Sequence, residues 1–165
     1  MRKKTRRRKT GAFRKIAALR NREAVLSRRN VMRKIFAADD KELHNVIAFI
    51  EEELEAHEVS MKNIMAITVA VEEIFVNIAH YAYEGKEPGE AVVSIDFPDD
   101  IVEITFEDNG MEFDPLAKTD PDIELSAEER SIGGLGIYMV KKSMDECLYE
   151  HNGETNIFRM RKKIR

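Results

Sequence analysis

The charge along the chain reverses at Val31. Residues 1–31 carry 13 Lys and Arg against one acid, Glu23, a net of +12, and residues 32–165 carry 14 Lys and Arg against 30 acids, a net of −16. This break predicts a basic N-terminal extension, 1–31, joined to an acidic globular domain, 32–165. The cations of the extension follow no packing pattern that could join a core, so it is expected to be a disordered tail or an extension upstream of a start at Met32. Basic arms can also attract nucleic acid or anionic membrane through phosphate. Here no aromatic stacking platform accompanies the charge and the acidic domain repels polyanions, so a nucleic-acid partner is not expected. An Arg-rich organelle transit peptide is another reading of the same composition.

The acidic part is long enough to bury a core in one domain. The lone cysteine, Cys147, excludes a disulfide framework and a thiolate-rich metal site. No apolar run approaches the roughly 18 residues of a membrane span. The longest, Ile64 to Val71, is closed by Glu72 and Glu73. Together these features point to a cytoplasmic protein with no membrane partner.

From Met32 onward the periodicities alternate. Arg33–Ala38 reads as a strand, and Asp39 or Asp40 can cap the helix that follows. Leu43, Val46, Ile47, Ile50 and Leu54 recur at helical spacing opposite the solvated face of Glu51, Glu52, Glu53 and Glu55. Ser60 caps a second predicted helix running to about Tyr83. Ala91–Phe97 and Ile101–Glu107 read as strands joined at Pro98-Asp99-Asp100. Residues 108–134 read as a long lid, a third helix starts near Leu135, and Cys147–His151 and Thr155–Lys162 form a closing hairpin. The expected fold is α/β: a two-layer sandwich of a mostly antiparallel mixed sheet with helices on one face.

Three constellations carry chemistry. On the second helix Glu73 and Asn77 lie four apart on an otherwise apolar stripe, where polar groups need partners. They are either ordinary helix-surface residues or a site in which Asn77 offers a carbonyl oxygen to Mg²⁺. His80, nearby, is read as structural. The second constellation, Asp108-Asn109-Gly110, follows a strand. Asp108 is an acceptor suited to the amino group of adenine, or the sequence is a plain Asx turn. The third, Arg130-Ser131-Ile132-Gly133-Gly134-Leu135-Gly136, opens a helix, where free backbone N–H groups can cradle phosphate. No G-K-[ST] follows and no βαβ unit precedes it, which excludes a P-loop and a Rossmann site.

In this order the three pieces, E-E-I-F-V-N-I-A-H-Y-A-Y, D-N-G-M-E-F-D and G-G-L-G-I-Y-M-V-K-K-S-M-D-E, resemble the N, G1 and G2 boxes of the GHKL (histidine-kinase-like) ATPases. More narrowly they resemble the anti-sigma factor serine/threonine kinases, over about Met32 to Ile164. The resemblance implies ATP and Mg²⁺ as cofactors, phosphoryl transfer to a small STAS-type anti-anti-sigma protein, sequestration of a sigma factor, and a homodimer. By position it makes Glu73 the catalytic base, Asn77 the Mg²⁺ ligand, and Asp108 and Gly110 part of the adenine site. It makes Gly134, Leu135 and Gly136 phosphate contacts, with Arg130 as a lid cation, and places Thr155 near the adenine. The histidine frequent in the family four residues after the Asn is Tyr81 here. The alternative from another class is an ATP-gated protein-binding module without phosphotransfer, which needs Asn77 and Asp108 but not Glu73. A sensor histidine kinase would need a further dimerisation helix pair, for which 165 residues leave no room.

Overall fold

Alternation with period two builds a sheet with one apolar face. The structure, a computed structural model, describes residues 31–87, 89–117 and 135–165. Its strands are β1 (Met32–Ala37), β2 (Glu90–Asp96), β3 (Ile101–Asp108), β4 (Glu146–His151) and β5 (Asn156–Lys163). They lie in the order β1-β2-β3-β5-β4 with every neighbouring pair antiparallel. In β3 the inward residues are Val102, Ile104, Phe106 and Asp108, and the intervening residues are half-buried. The opposite face is polar: Arg161 on β5 is bonded through Nε to Glu103 of β3 at 2.6 Å and through Nη1 to Glu146 of β4 at 2.6 Å.

Three helices accompany the sheet: α1 (Leu43–Ala56), α2 (Met61–Asn77) and α3 (Leu135–Ser143). The core lies between its inner face and the apolar stripes of α1 and α2. Val46, Ile50, Leu54, Ile67, Val71 and Phe75 meet Val93, Ile95, Ile104, Phe106 and Met160, all at most 1% exposed. Phe49 joins the buried stripe of α1, whereas Ile47 is only half-buried. Asp39 accepts from Lys41 N and caps a short 3₁₀ turn, Asp40–Glu42, that leads into α1. Ser60 Oγ accepts from Asn63 N at 3.4 Å at the start of α2, an arrangement typically worth about 1 kcal/mol.

Two features depart from the sequence reading. The helical run Met61–Ala82 is, by mean hydropathy, long and apolar enough to cross a membrane, the only such helix among the described residues. Its inner side is buried in the core through Ile64, Ile67, Ala70, Val71, Ile74 and Phe75. The run also does not stay α-helical to Tyr83. After Asn77 it widens into a π-helical turn, Ile78–Ala82, a distortion that often marks functional sites. Cys147 is partly buried, and burial pushes its thiol up to about 11, so it remains protonated near neutrality and is no nucleophile.

Candidate functional site

The inward alternation of β3 ends on a carboxylate where an apolar residue would be expected. Asp108 is 5% exposed and stands in direct register with Asn156, 6% exposed, at the start of β5. A buried carboxylate is costly unless bonded, and the backbone and β5 supply the bonds. Gly110 N and Asn156 Nδ2 each donate to Asp108 Oδ1 at 2.9 Å. Asn156 Nδ2 also donates to Met111 O at 3.0 Å, and its Oδ1 accepts from Tyr149 OH on β4 at 2.7 Å. Burial holds the Tyr149 phenol above its ordinary pKa, so it stays a donor. Both donors fall on Oδ1 of Asp108, and Oδ2 is left to accept from a ligand.

Asp108 and Asn156 form the polar base of an open pocket. Its walls are apolar and aromatic, including Ile78, Ala82, Met111, Phe113 and Phe158, and Asn77 reaches it from the end of α2. Apolar and aromatic walls with a few converging polar groups suit a small flat ligand such as a nucleoside. Asn77 Nδ2 donates to the Glu73 carbonyl one turn back at 2.6 Å. A carbonyl can only accept, so this bond fixes the amide orientation and leaves Asn77 Oδ1 as the acceptor for a ligand.

The π turn brings these parts together. It places Tyr81 and Ala82 on the pocket, and the Ala82 carbonyl accepts from Met111 N at 2.8 Å. Gly110 approaches the same carbonyl so closely that a Cβ would collide with it; only glycine allows the loop after β3 to meet the helix end. Tyr83 OH accepts from Asn109 N at 3.1 Å and donates to Glu90 O at 2.9 Å, tying this loop to the start of β2.

The other expected site residues fall in different places. Glu73 does not line the pocket. It is half-buried, and its carboxylate lies against Gly136 at the start of α3, where a Cβ would collide with it. Glu72, one residue earlier, is exposed. Leu135 opens α3, 46% exposed and away from the pocket walls. Thr155 is also absent from them: its N donates to Asn152 Oδ1 at 3.0 Å and its carbonyl accepts from Asn152 N, closing the β4–β5 turn. The side chain that reaches the pocket floor belongs to the next residue, Asn156. Arg130 and Gly134 lie outside the described residues. His80 Nε2 pairs with Asp40 Oδ2 at 2.8 Å and holds the π turn to the 3₁₀ turn before α1.

Sequence reasoning missed Asn156 and Tyr149. The available sign was phase: Asn156, Phe158 and Met160 share one face of β5, so an amide stands in an apolar series. Replacing Asn156 by Ala should leave the Tyr149 hydroxyl without its acceptor and Asp108 with one donor fewer. The expected cost is about 1–3 kcal/mol of stability, read as a lower urea midpoint. An unchanged midpoint would show that this network does not hold the pocket floor.

Among the described residues no three His, Cys, Asp or Glu cluster as a metal cage. The single oriented oxygen, Asn77 Oδ1, is compatible with a Mg²⁺ ion that takes one or two protein oxygens and completes its shell with phosphate and water.

Comparison with known proteins agrees with this architecture. The serine-protein kinase RsbW of Listeria monocytogenes is 32% identical over 99 residues, 57% of this chain and 63% of the relative. The protein of the same name from Listeria innocua is 31% identical over 99 residues, with the same coverage. The matched stretch thus spans less than two thirds of these relatives. A crystal structure of the RsbU and RsbW domains of a Mycobacterium tuberculosis protein superposes with a TM-score of 0.60 at 16% identity, covering 81% of this chain and 32% of that one, which shows a shared fold. Residues 36–162 match the histidine kinase-like ATPase domain, and the chain belongs to that family.

Proposed function

We propose that the chain is an ATP-dependent serine/threonine protein kinase of the anti-sigma-factor type. On this reading it acts in the cytoplasm as a homodimer, phosphorylates a small STAS-type anti-anti-sigma protein and sequesters a sigma factor. The observation that carries the reading is the convergence of Asn77 and Asp108, from different elements, on one apolar pocket, with Glu73 one helical turn from Asn77 and outside the pocket walls. Asp108 Oδ2 accepts from the adenine amino group while Oδ1 stays bonded to Gly110 and Asn156. Asn77 Oδ1 would hold Mg²⁺, which would supply charge neutralisation at the phosphates. By their match to the family's glycine box, Gly134, Leu135 and Gly136, with Arg130, would supply the phosphate contacts. Glu73 takes the proton of the acceptor hydroxyl as that oxygen bonds to the γ-phosphorus and ADP leaves.

A second reading, an ATP-gated binding module without transfer, is favoured by one detail. The Glu73 carboxylate is half-buried against Gly136 and outside the pocket walls, where no nucleotide contact requires it. Incubation of the full chain with γ-labelled ATP, Mg²⁺ and purified anti-anti-sigma protein separates the two. Label on a serine or threonine supports the kinase, ATP-dependent binding without label supports the module, and the absence of both label and binding contradicts both readings.

The proposed site uses no residue before Met32. Deleting residues 1–31 is therefore expected to leave ATP affinity within about threefold and the melting temperature nearly unchanged. A truncated chain that does not fold would assign the basic segment a structural part.

A further inference from the structure

Every fourth residue of α2 from its first turn lies on one ridge: Met61, Met65, Val69, Glu73 and Asn77. Neighbours on such a ridge are about 6 Å apart. The last two are the base and the metal ligand proposed above. The first three are apolar and open to solvent, with Met61 66%, Met65 64% and Val69 41% exposed. They add nothing to the core, which α2 reaches through its other side. Beyond Glu73 begins α3: Gly136 touches the Glu73 carboxylate, and its chain neighbour Leu135 is 46% exposed. Glu73 thus has the exposed Val69 one turn before it on α2 and the first turn of α3 against its carboxylate.

We infer that the ridge Met61–Met65–Val69, which leads to Glu73, is the docking surface for the protein that carries the acceptor hydroxyl. The inference rests on the kinase reading and names how that kinase holds its substrate. A serine or threonine side chain is short, so an acceptor whose hydroxyl reaches Glu73 must bring its own backbone close to α2. The turn it then covers is the one bearing Val69, with Met65 and Met61 continuing the same ridge. Methionine suits such a surface, because its unbranched, polarizable side chain repacks against a partner at little cost. The matching partner presents apolar side chains beside its acceptor serine or threonine. A second copy of this chain seated on the ridge would cover Glu73 and close it to any substrate, which argues for the substrate as the occupant.

The test compares the full-length wild type with the triple variant Met61→Gln, Met65→Gln, Val69→Thr, which keeps side-chain size nearly constant. With anti-anti-sigma protein as acceptor, the variant should raise the acceptor KM at least about tenfold. Its kcat at saturating acceptor, ATP affinity and sedimentation mass should stay as in the wild type. Calorimetric titration of the acceptor into the nucleotide-loaded chain should show the same loss of affinity. An unchanged acceptor KM and affinity overturns the inference. A fall in oligomer mass would mark the ridge as a face between copies, and a weakened ATP affinity would mark it as part of the nucleotide site; either overturns it. Should the wild type bind the acceptor without transferring phosphate, the kinase reading falls, and loss of that binding in the triple variant still upholds the docking surface. No binding by the wild type overturns both.

Discussion

Replacing Glu73 by Ala is expected to abolish nearly all phosphate transfer while leaving ATP binding within about tenfold of wild type, because a positioned base contributes about 10²–10⁴ to rate and little to ground-state affinity. The geometry behind this separation is the helical turn between Glu73 and Asn77. Asn77 lines the pocket, whereas Glu73 sits outside its walls against Gly136. Glu72 is the internal control. It lies about 100° away round the helix and is exposed, so Glu72→Ala should transfer phosphate nearly normally. The measurement is phosphate incorporation at saturating ATP and acceptor for the wild type and both variants. Normal transfer by Glu73→Ala would move the base to another residue.

The second large effect belongs to Asp108. In Asp108→Asn the amide oxygen can keep the bonds that Oδ1 accepts from Gly110 N and Asn156 Nδ2. The amide nitrogen then takes the place of Oδ2 and presents a donor to the pocket. Against the adenine amino group that is donor facing donor, with a charge-assisted bond lost as well. Hydrogen bonds to charged groups contribute about 1.5–3 kcal/mol, so ATP affinity should fall by about 10–100-fold. The guanine 6-oxo group would instead find a donor, and the preference for ATP over GTP should shrink or reverse. Since the network around Oδ1 is retained, the melting temperature should change little. Undiminished ATP binding by Asp108→Asn would remove Asp108 from the base-recognition site.

The pattern of the chain carried much of this architecture. Helical spacing located α1 and α2, and strict alternation located β2 and β3. Asp108 could be read from its position after a strand and before Gly110, because that turn chemistry is local. Asn156 and Tyr149 could not be placed in the same way. Their roles depend on which residues of β5 and β4 face Asp108 across the sheet, and that register is set by turn geometry and by pairing between β3 and β5, distant in sequence. A shift of one residue turns a side chain to the other face, and this is the difference between Thr155 in the turn and Asn156 on the pocket floor.

The π turn was illegible for a related reason. Nothing in Ile78–Ala82 breaks an α-helix locally. What accompanies the widening is tertiary: the Ala82 carbonyl meets Met111 N and the bare Cα of Gly110, while His80 is tied to Asp40. The exposed apolar ridge of α2 was hidden as well, since Met61, Met65 and Val69 look like core residues in an apolar helix. Only the arrangement of sheet and helices shows which side of α2 faces out.

Calorimetric titration of the full chain tests whether Asn77 and Asp108 together make a Mg²⁺-dependent adenine-nucleotide site. ATP with Mg²⁺, ATP with chelator, and GTP with Mg²⁺ would be compared under one salt condition. Against the Asp108 carboxylate the guanine oxo group sets acceptor against acceptor, a mismatch of about 1–3 kcal/mol. The predicted result is ATP binding that requires Mg²⁺ and exceeds GTP binding by about 5–100-fold. Equal affinities for ATP and GTP would remove Asp108 from base recognition, and ATP binding indifferent to chelation would remove Asn77 as a metal ligand.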